Sequence, residues 1–172
     1  GLVSARSAWL AGCAGTSNVL AGRLFDIPLS GTMAHSFVQA AEDELAAFEA
    51  FARVFPETVL LVDTYDPLEG VDNVIRLARR LGEGFRVTAI RLDSGDLETL
   101  SREARARLDA AGLGHLKILA SGGLDEHRLA RLVASGAPID GFGVGTSLAT
   151  SSDAAEVDVS YKLSAYAGTG RV

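Results

Sequence analysis

Val87-Thr88-Ala89-Ile90-Arg91-Leu92-Asp93-Ser94-Gly95-Asp96 is the stretch that decides the fold. Its first half is apolar and β-branched, as a strand buried on both faces is. Its second half turns polar and runs into a helical pattern beginning at Leu97. The reading is a strand over 86–92 whose carboxyl end delivers Arg91, Asp93 and Ser94 into a loop before a helix. In α/β folds, ligands sit at that end of the strands. A guanidinium and a carboxylate at a buried strand tip are costly unless they pair or meet a ligand. Two purely structural readings stand beside the functional one. Arg91 and Asp93 pair with each other, and Asp96 caps the next helix.

The same unit recurs on both sides of this stretch. Upstream, Phe37, Ala40, Ala41, Leu45, Phe48, Phe51 and Ala52 recur at helical spacing and predict one helix over 37–54, ended by Pro56. Residues 58–62 read as a buried strand with the tip Asp63-Thr64-Tyr65-Asp66. Pro67 and Gly70 turn the chain, and a helix covers 71–82. Downstream come a helix over 97–111, a strand over 116–120 and the tip Ser121-Gly122-Gly123. Asp125 caps a helix over 126–135. A strand over 139–144 opens into Gly145-Thr146-Ser147. The amino-terminal part reads as a helix over 4–14, a donor-rich loop Gly15-Thr16-Ser17-Asn18, a helical turn over 19–24 and an extended piece over 27–29. The tail alternates over 157–166 and reads as a further strand.

Strand–helix units of about 25–30 residues predict an α/β fold of parallel βα units. A complete eightfold barrel needs about 250 residues. With 172 residues the chain is expected to be one α/β barrel-type domain over 1–172, a partial or incomplete TIM-like barrel. The balance of 16 basic against 22 acidic side chains, a net charge of −6, argues against nucleic acid as a partner. The single cysteine, Cys13, excludes a disulfide framework and a cysteine-rich zinc site and suits a reducing cytoplasm. No apolar run approaches the roughly 20 residues of a membrane span, and Gly1-Leu2-Val3-Ser4 does not begin a signal-peptide layout.

Every strand tip is polar in the same way, so the tips form one candidate rim. Gly141-Phe142-Gly143-Val144-Gly145-Thr146-Ser147 is the phosphate candidate, because glycines let backbone N–H groups approach an anion. A tight strand turn is the bland alternative. Asp63, Asp66 and Asp93 can accept from sugar hydroxyls or hold Mg²⁺ through water, while Asp66 also suits a turn before Pro67. His35 precedes a long helix, where an imidazole can act as nucleophile or acid–base group. His115 and His127 receive no role. Arg76, Arg79, Arg80, Arg102, Arg105 and Arg107 read as solvated helix faces.

Taken in order, the tips and loops resemble the nicotinate phosphoribosyltransferase family, type II phosphoribosyltransferases. The matching segments are 15–22, Gly31-Thr32-Met33-Ala34-His35-Ser36, Val62 to Asp66, Ile90 to Asp96, Ala120 to Glu126, Gly141 to Leu148, and Tyr161-Lys162-Leu163. The resemblance implies that nicotinate attacks the anomeric carbon of phosphoribosyl pyrophosphate, giving nicotinate mononucleotide and pyrophosphate in NAD salvage. It implies coupling to ATP hydrolysis, with Mg²⁺, through a phosphorylated His35. By the same resemblance Arg91 and Asp93 face the base and ribose. Asp63 lies near the ribose and pyrophosphate, with Thr32 and Ser94 on the substrate side. Ser121 and Gly122 line the ribose, and Gly143, Gly145 and Thr146 cradle the 5′-phosphate. Ser17 stands where nicotinamide-using relatives carry an acidic residue, which favours nicotinate over its amide. No direct metal ligand is assigned. The family's N-terminal domain and the chain beyond Tyr161-Lys162-Leu163 are not represented. The family's site is completed by a second subunit, which implies a cytoplasmic homodimer for the full-length enzyme and no turnover by residues 1–172 alone. A quinolinate phosphoribosyltransferase-like enzyme and a non-catalytic phosphate- or nucleotide-binding fragment are the alternatives.

Overall fold

Four short parallel strands carry the molecule, each lying within one of the apolar runs of the sequence. A computed structural model describes residues 1–151, Asp153, and the backbone of 165–166 and 169–170. The chain opens with α1 (Leu2–Leu10), α2 (Val19–Phe25), α3 (His35–Ala40) and α4 (Glu44–Val54). The first strand, β1 (Val59–Leu61), leads through α5 (Pro67–Leu81) and a single 3₁₀ turn to β2 (Ala89–Leu92). Then come α6 (Leu97–Ala110), β3 (Lys117–Ala120), α7 (Glu126–Ala134), β4 (Gly141–Phe142) and the short α8 (Thr146–Ala149). Backbone segments β5 (Ala165–Tyr166) and β6 (Thr169–Gly170) pair antiparallel. The rest of the expected tail strand, and Tyr161-Lys162-Leu163, lie outside the described residues.

The sheet order is β1-β2-β3-β4, all parallel. Consecutive order with crossovers of one hand lays successive helices along one face. The register puts Leu60, Ile90 and Ile118 in one row, all fully buried. They pack with Val71, Val74 and Leu77 of α5 and Ala104 and Leu108 of α6 in a single apolar cluster. Each buried Val, Leu or Ile among them contributes about 1.5–3 kcal/mol by leaving water. The opposite face carries the row Leu61, Arg91, Leu119, Gly141. One pleat further on, the same alternation brings Asp63, Asp93, Ser121 and Gly143 to the carboxyl rim.

Three expectations need correction. The single helix over 37–54 is two helices, broken at Ala41, whose backbone is extended (φ −81°, ψ 169°). Asp43 restarts the helix by accepting from the Ala46 N–H at 2.8 Å, so a local cap overrides an apolar periodicity that runs through the break. The fifth helix starts at Pro67, not after a turn at Gly70. Asp66 caps it by accepting from the Leu68 and Glu69 N–H groups at 2.9 and 2.8 Å, with Pro67 in the first turn where its missing N–H is harmless. Gly70 is there because a Cβ would stand 1.9 Å from the Val62 carbonyl oxygen. Thirdly, Arg102, Arg105 and Arg107 do more than face solvent. Arg105 donates to the Leu116 carbonyl at 2.7 Å, Arg107 to the Leu68 carbonyl at 3.2 Å and Arg102 to the Gly136 carbonyl at 3.4 Å, tying α6 to its neighbours.

Among the described residues no helix is long and apolar enough to cross a membrane.

Candidate active site

Asp93 is the hub of the rim. Its Oδ1 accepts from the Ser121 hydroxyl of the next strand tip. Arg91 Nη2 approaches the same oxygen at 3.8 Å, an ion pair without a hydrogen bond. His35 Nε2 stands 3.7 Å from Asp93 Oδ2. That is too long for a hydrogen bond and close enough for attraction once the imidazole is protonated.

Asp63, itself buried, fixes the hub from the neighbouring strand. Its Oδ2 accepts from the Asp93 N–H at 2.7 Å and from the Ser94 hydroxyl at 2.8 Å. Charge-assisted bonds of this kind are roughly twice as strong as neutral ones. They pin the loop after β2 to the tip of β1. The other oxygen, Asp63 Oδ1, is buried without a partner, as is Arg91 Nε. Unpaired buried polar atoms are rare and call for an explanation.

His35 opens α3, and its Nδ1 lies 3.1 Å from Thr64 Oγ1. The hydroxyl fixes the ring plane and turns Nε2 toward Asp93. Nothing in the sequence around Thr64 assigns it a role. It sits between two conspicuous aspartates, and only the spatial return of α3 to the β1 tip reveals it. The side chains of His35 and Asp93 are 36% and 31% exposed, so both can meet a ligand.

Gly122 makes this closeness possible. Its φ is +87°, and a Cβ there would lie 1.7 Å from the Asp93 carbonyl oxygen. A side chain would push the β3 tip away from the hub. Gly143 continues the row, with its N–H on the Ala120 carbonyl at 2.8 Å and room for a Cβ only 3.2 Å from Ser121 Cβ. Gly145 precedes α8, and Thr146 begins it, both exposed.

The rim therefore brings together His35, Asp63, Arg91, Asp93, Ser94, Ser121, Gly122 and Gly143. Thr32 does not join these bonds. Its hydroxyl donates to the Met33 carbonyl at 3.2 Å, three residues before His35. Ser17 is exposed in its loop beside Asn18, which caps α2, and among the described residues no bond links it to the Asp93 cluster. Asp96 caps a helix, as its structural alternative has it, and Asp66 also caps one rather than making the turn expected before Pro67. Their carboxylates satisfy helix N–H groups one turn beyond the rim. Among the described residues no three Asp, Glu, His or Cys side chains converge closely enough to hold a metal ion.

The model of the nicotinate phosphoribosyltransferase (NAPRTase) family matches residues 3–170. The chain belongs to the nicotinate phosphoribosyltransferase family. It is 64% identical over 167 residues to the nicotinate phosphoribosyltransferase pncB2 of Mycobacterium tuberculosis, covering 97% of this chain and 36% of that protein. It is 48% identical over 169 residues to the nicotinate phosphoribosyltransferase of Bacillus subtilis, covering 98% of this chain and 34% of that one. The chain thus spans about a third of the length of these relatives. Among solved structures it superposes on a nicotinate-nucleotide pyrophosphorylase from Pyrococcus furiosus with TM-score 0.72 and 32% identity, over 89% of this chain and 39% of that one. Human nicotinic acid phosphoribosyltransferase gives TM-score 0.69 and 30% identity over 83% of this chain and 40% of that one.

Proposed function

We propose that this family member forms nicotinate mononucleotide and pyrophosphate from nicotinate and phosphoribosyl pyrophosphate, in NAD salvage. The observation that carries the reading is the bonded row Asp63–Asp93–Ser121, with His35 poised over it. Carboxylate and hydroxyl side by side suit a ribose with its vicinal hydroxyls. Arg91 offers positive charge to the nicotinate carboxylate or to pyrophosphate. The exposed backbone at Gly143 and Gly145, with Thr146, supplies donors for the 5′-phosphate. The four parallel strands are read as part of a TIM-like barrel, in a domain over 1–172 whose full-length form is a cytoplasmic homodimer.

His35 is the acceptor for a phosphoryl group from ATP. Its Nε2 lone pair forms a bond to the γ-phosphorus, and ADP leaves with the electrons of the broken P–O bond. Thr64 orders the imidazole for that attack by holding Nδ1. Asp93 stabilises the charge that develops on the ring from 3.7 Å. Water later cleaves the nitrogen–phosphorus bond. Mg²⁺ would travel with the phosphates of the substrates, since it binds through few carboxylates and many waters. The described residues do not by themselves form a metal cage, and no step is routed through the ion.

Incubation with γ-labelled ATP and Mg²⁺ tests this assignment. Acid-labile label should appear on the protein and vanish in His35→Asn. Label that persists in His35→Asn, or that never forms on the wild type, overturns it. Ser17 sets the preference for the acid. In full-length protein Ser17→Asp should lower nicotinate use more than nicotinamide use, because a carboxylate repels the acid and accepts from the amide. Equal loss for both substrates would contradict that role.

A further inference from the structure

A second polar feature lies beside the rim and takes no part in the bonds around Asp93. A cleft of about 480 Å³ opens between the starts of α4 and α5, lined by Glu42, Asp43, Glu44, Asp66, Glu69 and Arg76 together with Leu45, Tyr65 and Asn73. Five of these residues are carboxylates and one is a guanidinium. Asp43 and Asp66 satisfy helix N–H groups. Glu44 is different. It is 94% withdrawn from solvent, being only 6% exposed, on the cleft wall. Its Oε2 accepts from Asn73 Nδ2 at 2.9 Å, and its Oε1 is buried with no partner.

The cleft's own cation does not fill this gap. Arg76 donates to the Asn73 side-chain oxygen Oδ1 at 2.8 Å and so stops one side chain short of Glu44. Burial raises the Glu44 carboxyl above its usual range, and the nearby Glu69, Asp63 and Asp66 add to the shift while the Asn73 bond opposes it. An anionic Glu44 is therefore uncompensated, and a cation with hydrogen-bond donors would both neutralise it and satisfy Oε1. A bare divalent ion is the wrong shape. Among the described residues the carboxylates do not converge in threes, but are spread along the lining. Spread acceptors suit an extended molecule with several N–H donors.

We propose that this cleft binds an aliphatic di- or polyamine, with one ammonium on Glu44 Oε1 and another on the outer carboxylates at Glu69 and Glu42. The proposal is independent of the phosphoribosyl reading, since the cleft shares none of its lining residues with the Asp93 row.

Calorimetric titration of spermidine into the full chain at about 0.15 M salt, where diffuse surface attraction is largely screened, is the test. One saturable site is expected, weakened about tenfold or more by Glu44→Gln, as loss of a hydrogen bond to a charged group implies. Gln at 44 keeps an acceptor for Asn73, so the variant should fold, and a thermal melt checks that. Glu69→Gln, at the exposed mouth, should weaken binding by a smaller factor and serves if Glu44→Gln is unstable. Glu57→Gln, an exposed carboxylate outside the cleft, should leave it unchanged. Equimolar Mg²⁺ should not displace the amine. Absence of saturable binding, equal weakening in Glu57→Gln, or ready displacement by Mg²⁺ overturns the proposal.

Discussion

Two sets of aspartates are interleaved along this chain and do opposite things. Asp43, Asp66, Asp96 and Asp125 sit at helix starts and accept from N–H groups two or three residues ahead. Asp63 and Asp93 sit at strand ends and bond across about thirty residues of sequence, to Asp93 and Ser94 in one case and Ser121 in the other. The first set closes local structure, as any βα unit requires. The second set welds three separate loops into one surface. The lesson is that a polar strand tip has two layers, and only the layer on the sheet's own register is free to meet a ligand.

The sharpest way to break this contrast is Gly122→Ala. Left-handed strain alone costs about 1–3 kcal/mol, and the clash with the Asp93 carbonyl adds to it. Urea unfolding should show a large loss of stability, with binding at the rim abolished. A near-neutral result would mean the β3 tip tolerates displacement. Next comes Asp63→Ala, which leaves the Asp93 N–H without its acceptor at about 1–3 kcal/mol, while the Ser94 hydroxyl, on an exposed residue, turns to water at little cost. Asp63→Asn keeps an acceptor and should lose less in the same melt. Asp96→Ala and Asp125→Ala each remove only a helix cap, so each should lower the melting temperature less than Asp63→Ala does and leave rim binding intact.

The smallest effect concerns Glu44 and runs the other way. Its folded-state pKa is raised, chiefly by desolvation. The folded chain therefore binds a proton more tightly than the unfolded chain. Stability tied to this group is present below the ordinary Glu range and is lost as pH rises through the raised value. Glu44→Gln should thus gain stability relative to wild type near pH 7 and lose that advantage near pH 4. Thermal melts across that range check it. A constant difference would contradict the linkage. Asp96 and Asp125 shift downward, held by the Thr99 hydroxyl and the Arg128 N–H respectively. Their contribution is present above the ordinary Asp range and fades as pH falls below it.

The α/β class was legible because apolar β-branched runs alternate with helical periodicity, and β1 to β4 follow that alternation. Helix limits were less so. Gly70 reads locally as a breaker, yet its reason is a backbone contact with Val62, which no local pattern encodes. The Ala41 break hides under an apolar spacing that continues through it. At the rim, Asp63, Asp93 and Ser121 were visible as strand tips. Their mutual bonds depend on register, which sequence does not print. Thr64 had no signal, because a hydroxyl flanked by Asp63 and Tyr65 looks like any turn residue.

Calorimetric titration of phosphoribosyl pyrophosphate against paired variants tests the distinction between the two layers most directly. Asp66→Asn, which keeps a good cap, should bind as wild type does, whereas Asp93→Asn should bind at least about tenfold more weakly, the scale of one charge-assisted hydrogen bond. Equal affinity in the two variants, or a greater loss in Asp66→Asn, would contradict the account.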